Sequence, residues 1–357
     1  MNIKSTAITF VCLTGLFLSC LLSSCRDQQQ TPLAQELTAT AAALAATISE
    51  EKASGYQGGF IEQLQVQENA LNFLVVGDWG RNGQYHQKTV AEQMGNAAMT
   101  MDAEFIISTG DNFYPDGVVS TSDPQWKSSF EDVYTAHSLF QDWNVVLGNH
   151  DYKSNPEAQI AYSKVSRRWN MPNYYYTKKV AIDDDSTQKV LFVYIDTNPF
   201  VKKYYHDEKA KANVARQDTL AQLKWVNLVL SDPDPSIKWK IVVGHHPLYC
   251  GGKRAKSQDT YDIRGTFEPI FKKHQVDTYI CGHEHDLQHI KPAGQTHYFV
   301  SGSGCEVRPT GNIDGTKFAA ADFGFMTFSA NAKNLLVQVV NDQGAIIYTS
   351  NINKTNP

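Results

Sequence analysis

The sequence has no excess of basic residues and few cysteines. Its 357 residues include 32 Lys and Arg against 37 Asp and Glu, so the net charge is -5 at neutral pH. Without a basic excess there is no electrostatic case for nucleic acid as a partner, and none is expected. Charged residues make up 19% and hydrophobic residues 42% of the chain, as in an ordinary globular protein. The length suits one large α/β domain or two smaller ones.

Long apolar runs are also scarce, and the one at the N-terminus indicates export. Residues 7–22 are apolar and uncharged, follow Lys4, and are too short for a comfortable membrane span. The run ends in Leu22-Ser23-Ser24-Cys25, which resembles a bacterial lipoprotein signal. This predicts a signal peptide at residues 1–24 and a lipid on Cys25, which would be the chain's only attachment to a membrane. The expected location is the outer membrane or the periplasmic face. An ordinary secretory signal is the alternative, and it also implies export.

Export permits disulfides, but few cysteines remain to form them. Beyond the signal and Cys25, the chain contains Cys250, Cys281 and Cys305. Cys281 ends an apolar strand-like segment and is expected to be a small core residue. Cys250 and Cys305 both lie just beyond predicted strands, and the sequence leaves open whether a disulfide joins them.

The order of elements predicts a layered α/β fold. Residues 25–70 combine a polar, Gln-rich tether with an Ala-rich, helix-forming spacer at 34–51, and the folded domain is expected to span 71–357. From residue 71 strands and helices alternate, and the tail is all β, which predicts two mixed β-sheets flanked by helices. The expected strands are 71–76, 105–108, 143–147, 174–180, 189–196, 239–243, 276–281, 296–301, 324–329, 334–340 and 345–349. The expected helices are 86–101, 126–134, 156–166, 218–231 and 266–274.

Five short segments rich in metal-ligand residues each follow one of these strands. Because strands of one sheet deliver the residues at their carboxyl ends to a common edge, the five segments are expected to meet there. Carboxylate, phenolate, imidazole and amide ligands together suit a pair of divalent or trivalent first-row ions. The pattern therefore predicts a polynuclear metal site of a hydrolase. The segments are Gly77-Asp78-Trp79-Gly80, Gly110-Asp111-Asn112-Phe113-Tyr114, Gly148-Asn149-His150-Asp151, Gly244-His245-His246-Pro247 and Gly282-His283-Glu284-His285.

These segments, in this order over residues 71–328, resemble the calcineurin-like metallophosphoesterases and, among them, the small tartrate-resistant type of purple acid phosphatase. The resemblance implies a four-layer α/β/β/α sandwich. It also implies Fe3+ held by Asp78, Tyr114 and His285, with Asp111 bridging to a second ion. That second ion would be Fe2+, Zn2+ or Mn2+, held by Asn149, His245 and His283.

The resemblance also implies roles on the substrate side of the metals. His150 would stabilise the transition state or protonate the leaving group beside Asn149, and Asp151 is expected to orient it. His246 is either a substrate contact or a packed loop residue. Where the family has a second substrate-facing histidine, nine residues after His245, this chain has Arg254. An arginine can bind phosphate bidentately but cannot act as a general acid, so we expect a shifted pH profile.

The implied activity is hydrolysis of small phosphate monoesters by a metal-bound hydroxide, as in acid phosphatases. A phosphodiesterase or nucleotide pyrophosphatase on the same core is the first alternative, because the segments define the reaction centre and not the leaving group. A surface lipoprotein that binds without catalysis is the second. We expect a monomer.

Overall fold

The computed structural model describes residues 42, 45–46, 48–50, 52–53, 58–183 and 187–354, and the described residues between 42 and 53 are helical. The predicted signal at 1–24, the lipidated Cys25 and most of the spacer lie outside these residues. Within the described part of the chain, no helix is long and apolar enough to cross a membrane.

Fourteen strands and five α-helices are seen among the described residues from 58 onward. The strands are β1 Leu71–Val76, β2 Phe105–Ser108, β3 Asp142–Val145, β4 Trp169–Asn170, β5 Tyr176–Ala181, β6 Lys189–Tyr194, β7 Ile237–Val243, β8 Thr278–Cys281, β9 Leu287–Ile290, β10 His297–Ser301, β11 Thr316–Ala320, β12 Gly324–Ala330, β13 Asn334–Asn341 and β14 Ile346–Asn353. The helices are α1 Gln87–Met101, α2 Pro156–Tyr162, α3 Lys211–Val214, α4 Thr219–Leu230 and α5 Gln258–His274. Short 3-10 helices occupy His137–Leu139, Asp151–Lys153, Asn198–Phe200 and Lys202–His206.

The strands form two mixed seven-stranded sheets. One has the order β14-β13-β12-β1-β2-β3-β4, and the other has the order β11-β9-β10-β8-β7-β6-β5. β1, β2 and β3 run parallel in the first sheet, as do β6, β7 and β8 in the second. The ligand segments follow strands of both sheets, so the expectation of a single sheet edge is wrong. Instead, the carboxyl ends of two parallel sets meet at the same end of a sandwich.

Aromatic side chains fill the space between the two sheets. The ring of Phe73 on β1 lies 5.3 Å from Phe192 on β6, and Phe299 on β10 lies 5.5 Å from Phe328 on β12. Helix α1 packs on the first sheet and α4 on the second. This α/β/β/α arrangement confirms the predicted fold, and the buried aromatic rings contribute to its apolar stabilisation.

The structure differs from the sequence predictions in three local details. Helix α5 begins at Gln258 rather than at residue 266, because burial of Ile263 and Phe267 outweighs the low helix propensity of Gly265. The short helix predicted at 126–134 is present as a π-helix over Trp126–Glu131. Strands β4, β9 and β11 were not predicted. Strand β9, for example, is fully buried and only four residues long, so it shows no alternating pattern.

The three cysteines that the structure describes are buried free thiols, so no disulfide joins Cys250 to Cys305. Cys305 instead donates its S–H to the backbone oxygen of Asp78, at 3.0 Å. Cys281 is a core residue at the end of β8, as expected.

Candidate metal centre

Three of the predicted ligand residues adopt left-handed backbone conformations immediately after their strands. The φ angles are 57° at Asp78, 51° at Asp111 and 68° at His283. Such angles cost a non-glycine residue about 1–2 kcal/mol, so the surrounding structure must hold them in place. Each sharp turn directs the ligand side chain back over the end of the sandwich.

The glycines before Asn149 and His283 each make room for a candidate ligand of another loop. A Cβ at Gly148 would lie 2.1 Å from Oδ1 of Asp111, and a Cβ at Gly282 would lie 2.3 Å from Oδ2 of Asp78. No side chain fits at either distance. The repeated Gly-ligand pattern in the sequence therefore reflects close approach of the loops to one another.

A first cluster of ligand atoms surrounds the phenol oxygen of Tyr114. This oxygen lies 3.0 Å from Oδ1 of Asp78, 3.1 Å from Oδ2 of Asp111 and 3.2 Å from Nε2 of His285. All four side chains are buried. These separations suit ligands of one ion, because two donors each about 2.1 Å from a metal lie roughly 3 Å apart at right angles.

A second cluster surrounds Nε2 of His245. This nitrogen lies 3.1 Å from Nδ1 of His283, 3.3 Å from Oδ1 of Asn149 and 3.5 Å from Oδ1 of Asp111. Asp111 thus contributes one oxygen to each cluster. A carboxylate in this position has the geometry of a bridge between two ions.

The outer nitrogen of each histidine faces an acceptor. Nδ1 of His245 lies 2.9 Å from the backbone oxygen of Thr109, Nε2 of His283 lies 3.2 Å from Oδ2 of Asp259, and Nδ1 of His285 lies 3.5 Å from Oε2 of Glu306. With the proton on the outer nitrogen, the inner nitrogen is free to bind a metal.

Several acidic side chains of the two clusters are buried close to one another, which is electrostatically unfavourable. Two cations would relieve this. Burial raises the pKa of Asp78 to about 7 and that of Tyr114 well above its usual range, and both stand near the Asp111 carboxylate. Burial also favours protonation of Asp111, but His245 and His150 lower its pKa to about 2. Burial lowers the pKa of His285 to about 3 and keeps His283 neutral. A cation would stabilise the deprotonated acids and accept the lone pairs of the uncharged imidazoles, so these side chains suit a metal site.

His150 stands at the open side of the centre. Its Nε2 lies 4.0 Å from Oδ2 of Asp111, and its ring centroid is 4.5 Å from that of Tyr114. Its Nδ1 lies 2.5 Å from the backbone oxygen of Pro115 and 3.0 Å from Nζ of Lys153. The side chain is partly exposed, so Nε2 is accessible to a substrate.

The expectation that Asp151 orients His150 is wrong. The buried carboxylate accepts hydrogen bonds from the backbone N–H groups of Asn112, Phe113 and Gly148 and from the amide of Gln159. Those donors occupy both oxygens, and the three backbone N–H groups belong to the loops that carry Asp111, Tyr114 and Asn149. Asp151 therefore holds the ligand loops together, while the Pro115 carbonyl orients His150.

His246 is a packed loop residue. Together with His245 and His283 it forms a group whose ligand atoms lie within 4.8 Å of one another, which would also allow a metal ligand. However, its Nδ1 lies 2.7 Å from Oγ1 of Thr197 and its Nε2 lies 2.8 Å from the hydroxyl of Tyr204. Both ring nitrogens are thus engaged in the core, and neither is left for a substrate.

Arg254 lies beside the second cluster, as its sequence position suggested. Its Nε is 3.9 Å from Oδ2 of Asp259, and its Nη1 is 3.6 Å from Oε1 of the buried Glu284. Nη1 has no hydrogen-bond partner in the described structure. The guanidinium therefore lies between two carboxylates, and its Nη1 is buried against Glu284.

Asp259 and Glu306 were missed by sequence reasoning. Each contacts the outer nitrogen of a predicted metal ligand, but neither belongs to a ligand segment. The position of Asp259 in the first turn of α5 and of Glu306 directly after Cys305 gives no signal in a single sequence. Only the packing of distant loops brings them to the centre.

The sandwich and its double ligand cluster are those of a two-metal phosphoesterase. Residues 71–287 match the family described as calcineurin-like phosphoesterase. In overall structure the chain is similar to "GAP50 the anchor in the inner membrane complex of Plasmodium", with a TM-score of 0.69, 25% identity, and coverage of 80% of this chain and 89% of that one.

Two relatives show to which group of calcineurin-like phosphoesterases the chain belongs. "Purple acid phosphatase 7" of Arabidopsis thaliana is 39% identical over 242 residues, which is 66% of this chain and 71% of the relative. "Tartrate-resistant acid phosphatase type 5" of Oryctolagus cuniculus is 33% identical over 279 residues, which is 74% of this chain and 81% of the relative. The chain belongs to the purple acid phosphatase family.

Proposed function

We propose that this protein is a metal-dependent phosphoric monoester hydrolase of the acid phosphatase type. One observation carries the proposal: the two oxygens of Asp111 lie in two separate, buried ligand clusters. Each cluster has the ligands that one ion needs. The relatives named as phosphatases support the same reaction.

The donor atoms support different ions in the two clusters. Hard carboxylate and phenolate oxygens favour Fe3+ at Asp78, Asp111, Tyr114 and His285. Two imidazoles and an amide oxygen favour Fe2+, Zn2+ or Mn2+ at Asp111, Asn149, His245 and His283. When bound, two such ions would neutralise phosphate charge and lower the pKa of a water molecule.

The protein groups around the centre would bind the substrate and move a proton. His150 donates Nδ1–H to the Pro115 carbonyl, so in its protonated form Nε2–H is available to a phosphate or leaving-group oxygen. The charged guanidinium of Arg254, beside the second cluster, would attract a second phosphate oxygen. Because arginine does not release its proton, His150 alone would serve as the general acid.

Substrate comparison tests the reaction type. The purified domain should hydrolyse p-nitrophenyl phosphate far faster than bis(p-nitrophenyl) phosphate, and it should contain two metals per chain. Preference for the bis ester would replace the proposal with a phosphodiesterase. A chain with no bound metal and no activity on either ester would favour a non-catalytic surface protein.

Colour tests the ferric site. We expect a visible charge-transfer band in the wild-type protein and its loss in Tyr114→Phe, because the phenolate is the ligand that would give it. Tyr134→Phe is the matched control, since Tyr134 is buried with an unpartnered hydroxyl outside both clusters. A colourless wild-type protein with two zinc or manganese ions would contradict Fe3+ and leave the hydrolase intact.

We also propose that the chain is exported and anchored through a lipid on Cys25. The support is the apolar run followed by Leu22-Ser23-Ser24-Cys25. Expression with labelled palmitate should label the wild-type membrane fraction, and Cys25→Ala should abolish the label. Equal labelling of the wild-type protein and Cys25→Ala would contradict lipid attachment at Cys25.

A further inference from the structure

A buried carboxylate outside the ligand segments contacts the second cluster. Asp259, in the first turn of α5, is 1% exposed, and its Oδ2 lies 3.2 Å from Nε2 of His283. Nζ of Lys203 lies 2.7 Å from the same oxygen. The N-terminus of a 17-residue helix adds a favourable field for the negative charge.

The two nitrogens of His283 face opposite neighbours. Nδ1 lies 3.1 Å from Nε2 of His245, within the ligand cluster, while Nε2 faces Asp259. Asp259 is thus on the side of the ring away from the cluster and is not itself a ligand of that ion. A carboxylate in this position keeps the proton on Nε2 and leaves the Nδ1 lone pair free.

The outer nitrogens of His245 and His285 have partners of a different kind from that of His283. His245 donates to a neutral backbone oxygen at 2.9 Å, and His285 faces a partly exposed Glu306 at 3.5 Å. The pair of His283 with Asp259 is the most deeply buried contact between one of these imidazoles and a carboxylate outside the clusters. A negative charge there increases electron donation by the imidazole, and less solvent screens it.

We propose that Asp259 is a positioning residue for the second metal ion: it fixes the orientation and tautomer of His283 and so strengthens the binding of the ion at His245, His283 and Asn149. The inference rests on the proposed two-metal function. It also gives Lys203 a role, because that lysine holds the carboxylate oxygen in place.

Metal affinity is the direct test. Asp259→Ala should lower the affinity for the second ion about 10- to 100-fold while the first ion stays bound. Affinity would be measured as metal per chain after equilibrium dialysis against graded chelator, with the visible band reporting the first ion. Asp259→Asn keeps an oxygen acceptor but loses the charge, so its affinity should fall between those of wild type and Asp259→Ala.

Asp262→Ala is the matched control. Asp262 lies on the same helix, is also buried, and accepts from the backbone N–H of Lys202 at 3.1 Å, but no contact joins it to a ligand in the described structure. It should destabilise the fold without changing the ratio of the two metal affinities.

Two results would overturn the inference: wild-type affinity for the second ion in Asp259→Ala, or parallel loss of both ions as in the control. If Asp259→Ala does not fold, wild-type affinity in Asp259→Asn overturns it equally. A wild-type protein that binds fewer than two ions would instead contradict the proposed function.

Discussion

At the scale of single residues, the centre uses side chains whose two polar atoms face different neighbours. Asp111 places one oxygen in each cluster, and His283 places one nitrogen in a cluster and the other on Asp259. Replacing such a residue therefore changes two interactions at once. Arg254 lies outside both clusters, so its replacement leaves the candidate ligands themselves in place.

Replacement of Arg254 should change the pH profile. A histidine at this position loses its charge as the pH rises above about 6.5, whereas arginine remains charged. We expect Arg254→His to move the activity maximum to lower pH, measured as kcat/KM on a phosphate monoester. Arg254→Lys keeps the charge, so it should raise KM without moving the maximum. An unchanged maximum in Arg254→His would contradict this role.

Asp196 should make stability depend on pH. Burial raises the pKa of Asp196 from 3.8 to about 6. Between these values the folded protein keeps a proton that the unfolded chain releases, so stability falls as the pH rises from about 4 to 6. For a fully buried carboxyl group, the free energy of unfolding should fall by about 3 kcal/mol over this pH range.

Asp196→Asn removes that titration. Urea unfolding of the metal-free proteins at pH 4 and pH 7 should therefore show the variant gaining stability relative to wild type at the higher pH. A constant difference between the two proteins at both pH values would contradict the shifted pKa of Asp196.

At the scale of elements, helix and strand ends carry the function and much of the local stability. The ligands follow strand ends, and Asp259 lies in the first turn of α5. Helix α4 begins with a capping residue: the Oδ1 of Asp218 accepts from the backbone N–H of Ala221 at 2.9 Å. The cap satisfies one of the free N–H groups at the helix start.

Removal of this cap should cost about 1 kcal/mol. We expect Asp218→Ala to lower the free energy of unfolding by that amount in urea titrations, because the N–H of Ala221 loses its partner. Asp218→Asn keeps the acceptor and should remain close to wild type. Equal losses in the two variants would assign the effect to charge rather than to capping.

At the scale of the whole molecule, the candidate metal centre lies between loops of the two sheets. Its ligands come from loops after β1, β2 and β3 in one sheet and after β7 and β8 in the other. Ions bound there would crosslink the end of the sandwich and relieve the repulsion between Asp78 and Asp111.

Metal removal should therefore lower global stability. An ion present at 1,000 times its dissociation constant stabilises the fold by about 4 kcal/mol. We expect chelation to lower the thermal unfolding midpoint by several degrees, with recovery when iron and zinc are added back. Identical unfolding midpoints before and after chelation would contradict the stabilisation of the sandwich by bound ions.

The candidate ligands could be selected from the sequence because each ligand segment begins with a glycine after an apolar run, a pattern that a single sequence displays. The structure places Asp78, Asp111, Tyr114, Asn149, His245, His283 and His285 in two adjacent clusters, although the ions themselves stay a prediction. The helix start of α5 and strand β9 could not be predicted, because burial rather than local propensity decides them.

The sequence by itself determined the α/β class, the order of the ligand loops and the residue types available to bind metals, because these depend on local patterns along the chain. The tertiary structure alone decided that two sheets share the centre, that Asp151 holds the loops, that His246 is packed, and that Asp259 contacts His283. Those contacts join residues far apart in the chain, and only the packing of the sandwich determines which of them meet.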